Sequence, residues 1–532
     1  MTREDVVLTF GSVNVAARGA LASVGAVALL AAATSATAQG APRTAAPQDP
    51  AACQGLAASG LFADTAVSSA TVVPGAAAYC QVTAVLSPAP GSHIGVVYRL
   101  PMSWNGRLVG YGGGGWAGNV RIETVSGDLA RGYATLQTDG GHPSANAGDA
   151  GWTAPGGKPD TVALTDFAWR AVHQMTVTGK QVAARYYGRP QDKALFSGCS
   201  TGGRMALMEA QRFPGDYDGI VAGAPVYSFR VQLGEIYRDW VFTQPGAALQ
   251  PGQLTLLHNA VLSACDALDG VKDGIISDPK SCRFDPVVLK CQSGQAAEQC
   301  LTDPQIAAVR RLYDDVRGPN GEVYVYGYSR GSEPGWGPVL NITADPAKAA
   351  VARDLALRAV MFDDPNFSFA AFDVQRDSPK ARKAAYAKDY EAADPNLKPF
   401  LSRGGKLILW HGLDDPLPSP WGTLAYDQQM QQAVGALSAA TRLFLAPGVT
   451  HCGGGPGPSS LDTVAALDSW VSAGVAPERI TAVRPRPPAN APQGPNPFTP
   501  MSRPVCAYPA QARYDGKGDP NVEASFVCQA AR

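Results

Sequence analysis

The stretch KALFSGCSTGGRMALMEAQRF, residues 193–213, changes its hydrophobic period at one serine. Before Ser200 it is a short apolar run of strand character; after Ser200 the apolar residues recur at helical spacing until Pro214 ends the pattern. A second strand, DGIVAGAP, follows at 218–225. Strand, sharp glycine turn, helix and strand make a βαβ unit, which predicts an α/β fold with a parallel sheet. Within the turn, Gly198-Cys199-Ser200-Thr201-Gly202 matches the G-x-S-x-G nucleophile elbow, in the strand-to-helix setting that the motif needs. The flanking glycines answer a steric demand: a turn that thrusts the serine hydroxyl out of the sheet leaves no room for side chains beside it.

Upstream, short apolar runs at Ile94–Leu100, Arg107–Tyr111 and 132–138 read as further strands, and Asp166–Tyr187 reads as a helix closed by Gly188-Arg189-Pro190. Downstream the alternation stops. Residues 226–402 carry Trp, Tyr, Pro and four cysteines without a regular strand–helix order, and are expected to be a lid domain inserted into the core. The pattern resumes with KLILWHG (406–412), a helix near 421–435, RLFLAPG (442–448) and a helix near 460–473. The expected core therefore spans 39–225 and 403–532, its C-terminal end strapped by Cys506 and Cys528.

The chain is large and electrically balanced: 532 residues, 45% apolar, 44 basic against 45 acidic, net charge −1. No polybasic face is offered, so a nucleic-acid partner is not expected. Residues 1–38 read as a signal peptide, with the apolar run GALASVGAVALLAAATSATA ending in Ala36-Thr37-Ala38 before Gln39. The expected location is periplasmic or secreted, with no membrane anchor in the mature form. All ten cysteines lie beyond that point. An even count in an exported chain favours disulfides. Pairing sequence neighbours gives Cys53–Cys80, Cys265–Cys282, Cys291–Cys300 and Cys506–Cys528, and leaves Cys199 for Cys452.

A nucleophilic serine needs a histidine base held by a carboxylate, and after an elbow of this kind the chain order is Ser, acid, His. Of six histidines, His93, His142, His173 and His258 fall in the wrong order or inside the insert. His451, on the glycine-rich loop THCGGGPG after a strand, is the expected base; His411 is expected to be a buried histidine that fixes its loop. For the acid, Asp415 is chosen, with the adjacent Asp414 as the alternative. Cys199 precedes the serine and Cys452 follows the histidine, so a bridge between them would clamp nucleophile to base. The oxyanion donors are expected to be the N–H of Thr201 and one from the run Gly112–Gly115, with Gly114 first and Gly113 or Gly115 as alternatives. In the insert, CDALDGVKDGIISDP (265–279) offers only oxygen donors and lacks EF-hand spacing; it reads either as a cation loop or as a solvated Asp/Gly turn.

These motifs together resemble the tannase and feruloyl esterase family of α/β-hydrolases. The resemblance rests on WNGRLVGYGGGGWAG (104–118), YYG (186–188), GCSTGGRMALMEAQRFPGDYDGIVAGAPV (198–226), CDALDGVKDGIISDP, EPGWG (333–337), HGLDDPLPSP (411–420) and THCGGGPG (450–457). It implies an α/β-hydrolase fold with a lid, a Ser-His-Asp esterase acting on aromatic esters, and five disulfides. It places the triad on Ser200, Asp415 and His451, and a structural calcium on Asp266, Asp269, Val271, Asp273 and Ile275. Feruloyl, galloyl and terephthaloyl esters all fall within the family's range, the feruloyl type being the first expectation. The substrate-binding residues stay unassigned: Trp336, Phe362, Phe367 and Phe369 are aromatic candidates for stacking on the ring, or else core of the lid. The rival from another class is a non-catalytic calcium-binding surface protein.

Overall fold

Nine strands form one sheet in this computed structural model, which describes residues 50–118, 120–142, 153–154, 158–340, 360–364, 366–485 and 499–530. The expected signal peptide, 1–38, lies outside the described residues. In chain order the strands are β1 (Thr65–Val73), β2 (Tyr79–Leu86), β3 (Ile94–Pro101), β4 (Arg107–Tyr111), β5 (Ala134–Thr138), β6 (Lys193–Cys199), β7 (Gly219–Gly223), β8 (Lys406–Gly412) and β9 (Thr441–Ala446). They lie side by side as β1-β2-β3-β5-β4-β6-β7-β8-β9. From β5 to β9 every pairing is parallel, and β1, β2 and β3 extend one edge by antiparallel pairing. This is the α/β-hydrolase architecture anticipated from the elbow. The antiparallel hairpin β1–β2 was not among the expected strands.

Strand residues alternate between two apolar layers. In β8, Leu407 and Leu409 enter one buried cluster while Ile408 and Trp410 enter the other, as the period of two requires. The first layer holds α1 (Ala171–Tyr187), α2 (Thr201–Arg212) and, after the insert, α7 (Pro420–Val434); the second holds α8 (Thr463–Ala473). The helix expected over 166–187 begins earlier, at Thr161, where Asp160 accepts from the N–H groups of Val162 and Ala163. It passes through a π-turn at Asp166–Arg170 and ends where Gly188 takes φ 71°.

The insert is mostly helical, with α3 (Phe229–Phe242), α4 (Pro251–Cys265), α5 (Asp303–Tyr313) and α6 (Glu333–Leu340). Its Phe229, Leu257 and Trp336 join the same buried cluster as Leu407 and Leu409, so it packs directly on the core. Trp336 is completely buried and Phe369 nearly so; both are packing residues, and neither is available to stack on a ligand ring. Phe362 and Phe367 stack on each other with centroids 3.9 Å apart. At the C-terminus β10 (Arg479–Arg484) and β11 (Met501–Cys506) pair antiparallel, and the hairpin of β12 (Ala510–Tyr514) and β13 (Phe526–Ala530) follows. All five disulfides pair as expected: Cys53–Cys80, Cys199–Cys452, Cys265–Cys282, Cys291–Cys300 and Cys506–Cys528.

Candidate active site

Ser200 stands between the end of β6 and the start of α2, with φ 64° and ψ −123°. A left-handed conformation at a non-glycine residue is strained and persists only where the surroundings impose it. They do so here. The Ser200 N–H donates to Gly223 O at 3.0 Å, and its carbonyl accepts from Arg204 N and Val226 N. A Cβ on Gly198 would lie 2.3 Å from Gly202 O, and one on Gly202 would lie 2.7 Å from Gly113 O. Both glycines of the motif are therefore fixed by close backbone approach, as the sequence implied. Thr201 is the first residue of α2, where the backbone N–H has no intrahelical acceptor and the positive end of the helix dipole is strongest.

The acid comes from the loop after β8. Asp415 is completely buried and its Oδ2 receives two imidazoles: His451 Nδ1 at 2.7 Å and His411 Nε2 at 3.0 Å. Its Oδ1 accepts from Leu417 N at 2.8 Å. A carboxylate oxygen can only accept while ionised, so His451 carries its proton on Nδ1 and His411 carries one on Nε2. His411 Nδ1 is then free to accept from Thr423 Oγ1, 2.7 Å away. Burial pushes the Asp415 carboxyl up, but the His451 charge and the hydrogen bonds from His411 and His451 outweigh it and hold the group at about 2. For His451 burial lowers the ring; the charge and hydrogen bond of Asp415, and the charge of Glu235, win and raise it. Among the described residues Nδ1 is the only His451 nitrogen in a hydrogen bond, so Nε2 is left as an open acceptor.

The two loops are tied covalently. Cys199–Cys452 joins the neighbours of Ser200 and His451 with a Cα separation of 5.9 Å, and Cys452 itself has φ 60°. Ser200 and His451 line a common cavity of about 600 Å³ with Gly113, Gly114, Gly115 and Trp410. All four glycines 112–115 line the cavity, but the Gly112 N–H is already engaged by Ser197 O at 3.0 Å, which leaves the later three as candidate donors. Arg121, Gln137 and Val464 also contribute to its wall. No motif marked these three, because they come from separate elements and meet only in the fold.

Asp414, beside the acid, turns elsewhere. It is buried, and burial followed by the Glu333 charge raises its carboxyl to about 7. The sequence did not reveal Glu235, on α3, as part of this environment. Glu235 is close enough to His451 and Asp415 to feel both charges, and burial raises its carboxyl to about 7.

The aspartates of 266–273 form a closed loop of their own. Asp266 accepts from Asp273 N and Gly274 N, Asp269 from Val271 N and Ser277 Oγ, and Asp273 from Ile275 N. Burial raises the Asp273 carboxyl, Arg503 lowers it from 2.8 Å, and Asp269 and Asp266 raise it again. Three mutually repelling carboxylates with backbone carbonyls between them suit a hard cation with oxygen ligands. A second group, His173, Glu209 and Asp216, brings ligand atoms within 4.8 Å of one another. There the Lys180 ammonium, bonded to Asp216 O, already supplies positive charge.

Residues 80–529 match the family described as tannase and feruloyl esterase. The chain is 33% identical to an uncharacterised esterase of Xanthomonas campestris pv. campestris, over 90% of this chain and 91% of that protein. It is 32% identical to the mono(2-hydroxyethyl) terephthalate hydrolase of Piscinibacter sakaiensis, over 87% of this chain and 86% of the relative. The crystal structure of feruloyl esterase B from Aspergillus oryzae superposes with a TM-score of 0.80 at 27% identity, covering 90% of this chain and 100% of that one.

Proposed function

The chain belongs to the tannase and feruloyl esterase family of carboxylic ester hydrolases, and on that premise we propose that it cleaves hydroxycinnamoyl esters of the feruloyl type through a covalent acyl-enzyme. The observation that carries this reading is the pair of contacts at Asp415. One carboxylate oxygen orients His451 through Nδ1 at 2.7 Å, and His451 lines the same cavity as Ser200. In the reading, His451 takes the Ser200 proton as Oγ attacks the ester carbonyl, then returns it to the departing alkoxide. Asp415 keeps the ring in the required tautomer and offsets the imidazolium charge. The N–H groups of Thr201 and Gly114 receive the oxyanion; the position of Thr201 at the helix start and of Gly114 in the cavity wall supports this. Water repeats the sequence on the acyl-enzyme and releases the aromatic acid.

Calcium would be held by Asp266, Asp269 and Asp273 with the carbonyls of Val271 and Ile275, as a structural ion; when bound it would neutralise the loop's carboxylates. These residues belong to the insert, and Arg503 of β11 ties the loop to the C-terminal strands. Export to the periplasm or the medium accords with five disulfides, which persist in oxidising compartments. No helix of the described residues is long and apolar enough to cross a membrane.

The test is a comparison of initial rates on methyl ferulate, methyl gallate and mono(2-hydroxyethyl) terephthalate, with Ser200→Ala as the blank. Fastest turnover of methyl ferulate, lost in the variant, supports the reading. Preference for either other ester moves the acyl class and leaves the triad in place.

A further inference from the structure

Asp414 and the EPGWG stretch have no part in the proposed triad, yet they meet beside it. The inserted segment 327–335 runs along the acid loop. Ser419 Oγ donates to Gly327 O at 2.5 Å, and Tyr328 OH donates to Leu417 O at 3.0 Å. A Cβ on Gly331 would sit 3.1 Å from Asp414 Oδ1, and one on Gly335 would sit 2.6 Å from Pro416 Cγ. Both residues flanking Asp415 thus rest against glycines of this segment. Glu333 secures it from within. Its completely buried carboxylate accepts from Tyr313 OH at 2.7 Å and Gly331 N at 2.8 Å through one oxygen, and meets His258 Nδ1 at 2.9 Å through the other.

We propose that Glu333 is a positioning residue for the catalytic acid: by fixing Gly331 and the segment around it, it holds Asp414 and Pro416 and so sets where Asp415 meets His451. The inference rests on the triad reading above. It also gives Asp414 a role, as a buried carboxyl packed against the segment that Glu333 anchors, its Oδ1 without a hydrogen-bond partner among the described residues. The groups facing Asp414 are Glu333 from α6, His258 from α4 and the Gly448 N–H after β9. Asp415 is its neighbour on the loop; Tyr313 of α5, with Arg330 over its ring, reaches Glu333. Asp414 holds its proton more tightly in the fold than in the open chain, burial being the first cause and the Glu333 charge the second. The stability this contributes is full below the ordinary carboxyl range and is lost as pH rises through about 7. Above that pH Asp414 adds a second negative charge to the loop beside that of Asp415.

The experiment measures kcat and KM on methyl ferulate across pH for the full-length protein, Glu333→Ala, Glu333→Gln, Asp414→Asn and, as control, Asp415→Asn. Misplacing the acid in Glu333→Ala should lower kcat on the order of 100-fold while KM stays within about twofold. Asp414→Asn should keep turnover at neutral pH and lack the fall in kcat above pH about 7 that ionisation of Asp414 is expected to cause in the unaltered enzyme. Glu333→Gln should move that fall to lower pH, because Asp414 then ionises more easily. Unchanged kcat in Glu333→Ala, or an alkaline fall identical in Asp414→Asn and the unaltered enzyme, overturns the proposal. Should Glu333→Ala not fold, the pH profiles of Glu333→Gln and Asp414→Asn decide alone. Full activity in Asp415→Asn would instead sink the triad reading; an inactive Asp415→Asn beside a fully active Glu333→Ala would sink only the role of Glu333.

Discussion

The parallel core and the insert that interrupts it are held by different means. In the core, strands of five to seven residues such as β6, β7 and β8 are largely buried, and parallel backbone ladders and apolar packing order them. The insert combines helices with polar anchors: a buried Glu333, an aspartate loop, and bridges that span only 17 and 9 residues. The bridge between the two active-site loops spans 253 residues and encloses the entire insert. In the chain-entropy picture it constrains the open chain by about 5 kcal/mol, against about 3 kcal/mol for the short ones. The lesson is a division of labour: the core presents Ser200 and the Asp415–His451 pair at strand ends, and the insert packs its glycines against the loop that carries Asp415.

The sharpest way to break this comparison is to remove the core's reacting groups. Ser200→Ala should cost about 10⁶-fold in kcat and Asp415→Asn about 10⁴-fold, measured as ester hydrolysis, with melting temperatures little changed for the serine variant. Retained turnover in either would move the chemistry out of the core. Next in size is the clamp. Replacing Cys199 and Cys452 together by alanine should lower kcat by an order of magnitude or more and the melting temperature by a few degrees, since both strained loops lose their tie. The same replacement at Cys291 and Cys300 should leave kcat unaltered.

Metal removal probes the insert by itself. Chelation should lower the melting temperature, and added calcium should restore it, by the linkage between binding and folding; an unchanged melting curve after verified removal excludes a structural ion. The smallest effect is electrostatic. His451 must be neutral to act as base, so kcat/KM should rise with pH through its raised value. Glu235→Gln removes one of the charges that raise the ring, and should shift this acidic limb to lower pH without altering the folded state. Asp415 stays ionised throughout, because the stability it contributes is lost only as pH falls toward about 2.

Much of the site was readable because its constraints are local. The serine elbow needs glycines at fixed offsets, and the close approaches at Gly198 and Gly202 show why. Strand and helix spans around it followed from periodicity, and β6, α2, β7, β8 and β9 lie where the apolar runs are. The bridge from Cys199 to Cys452 was reached by pairing the other eight cysteines first. The aromatic residues of the insert were not separable in this way, because a buried core tryptophan such as Trp336 and a ligand-stacking one have the same sequence. Nor was the cavity wall, to which Arg121, Gln137 and Val464 come from distant parts of the chain.

By itself the sequence determined the order of the core elements and pointed to the serine elbow, a loop histidine and the pairing of the cysteines, since these readings depend on residue type and order along the chain. What the tertiary structure alone supplied is the physical reason that two adjacent aspartates differ. Asp415 lies between two imidazoles that hold it ionised, whereas Asp414 is buried near Glu333, and burial and that charge raise its carboxyl to about 7. Residue type and position are nearly the same for both; the difference lies in charge and burial supplied by elements up to 160 residues away, which no local pattern records.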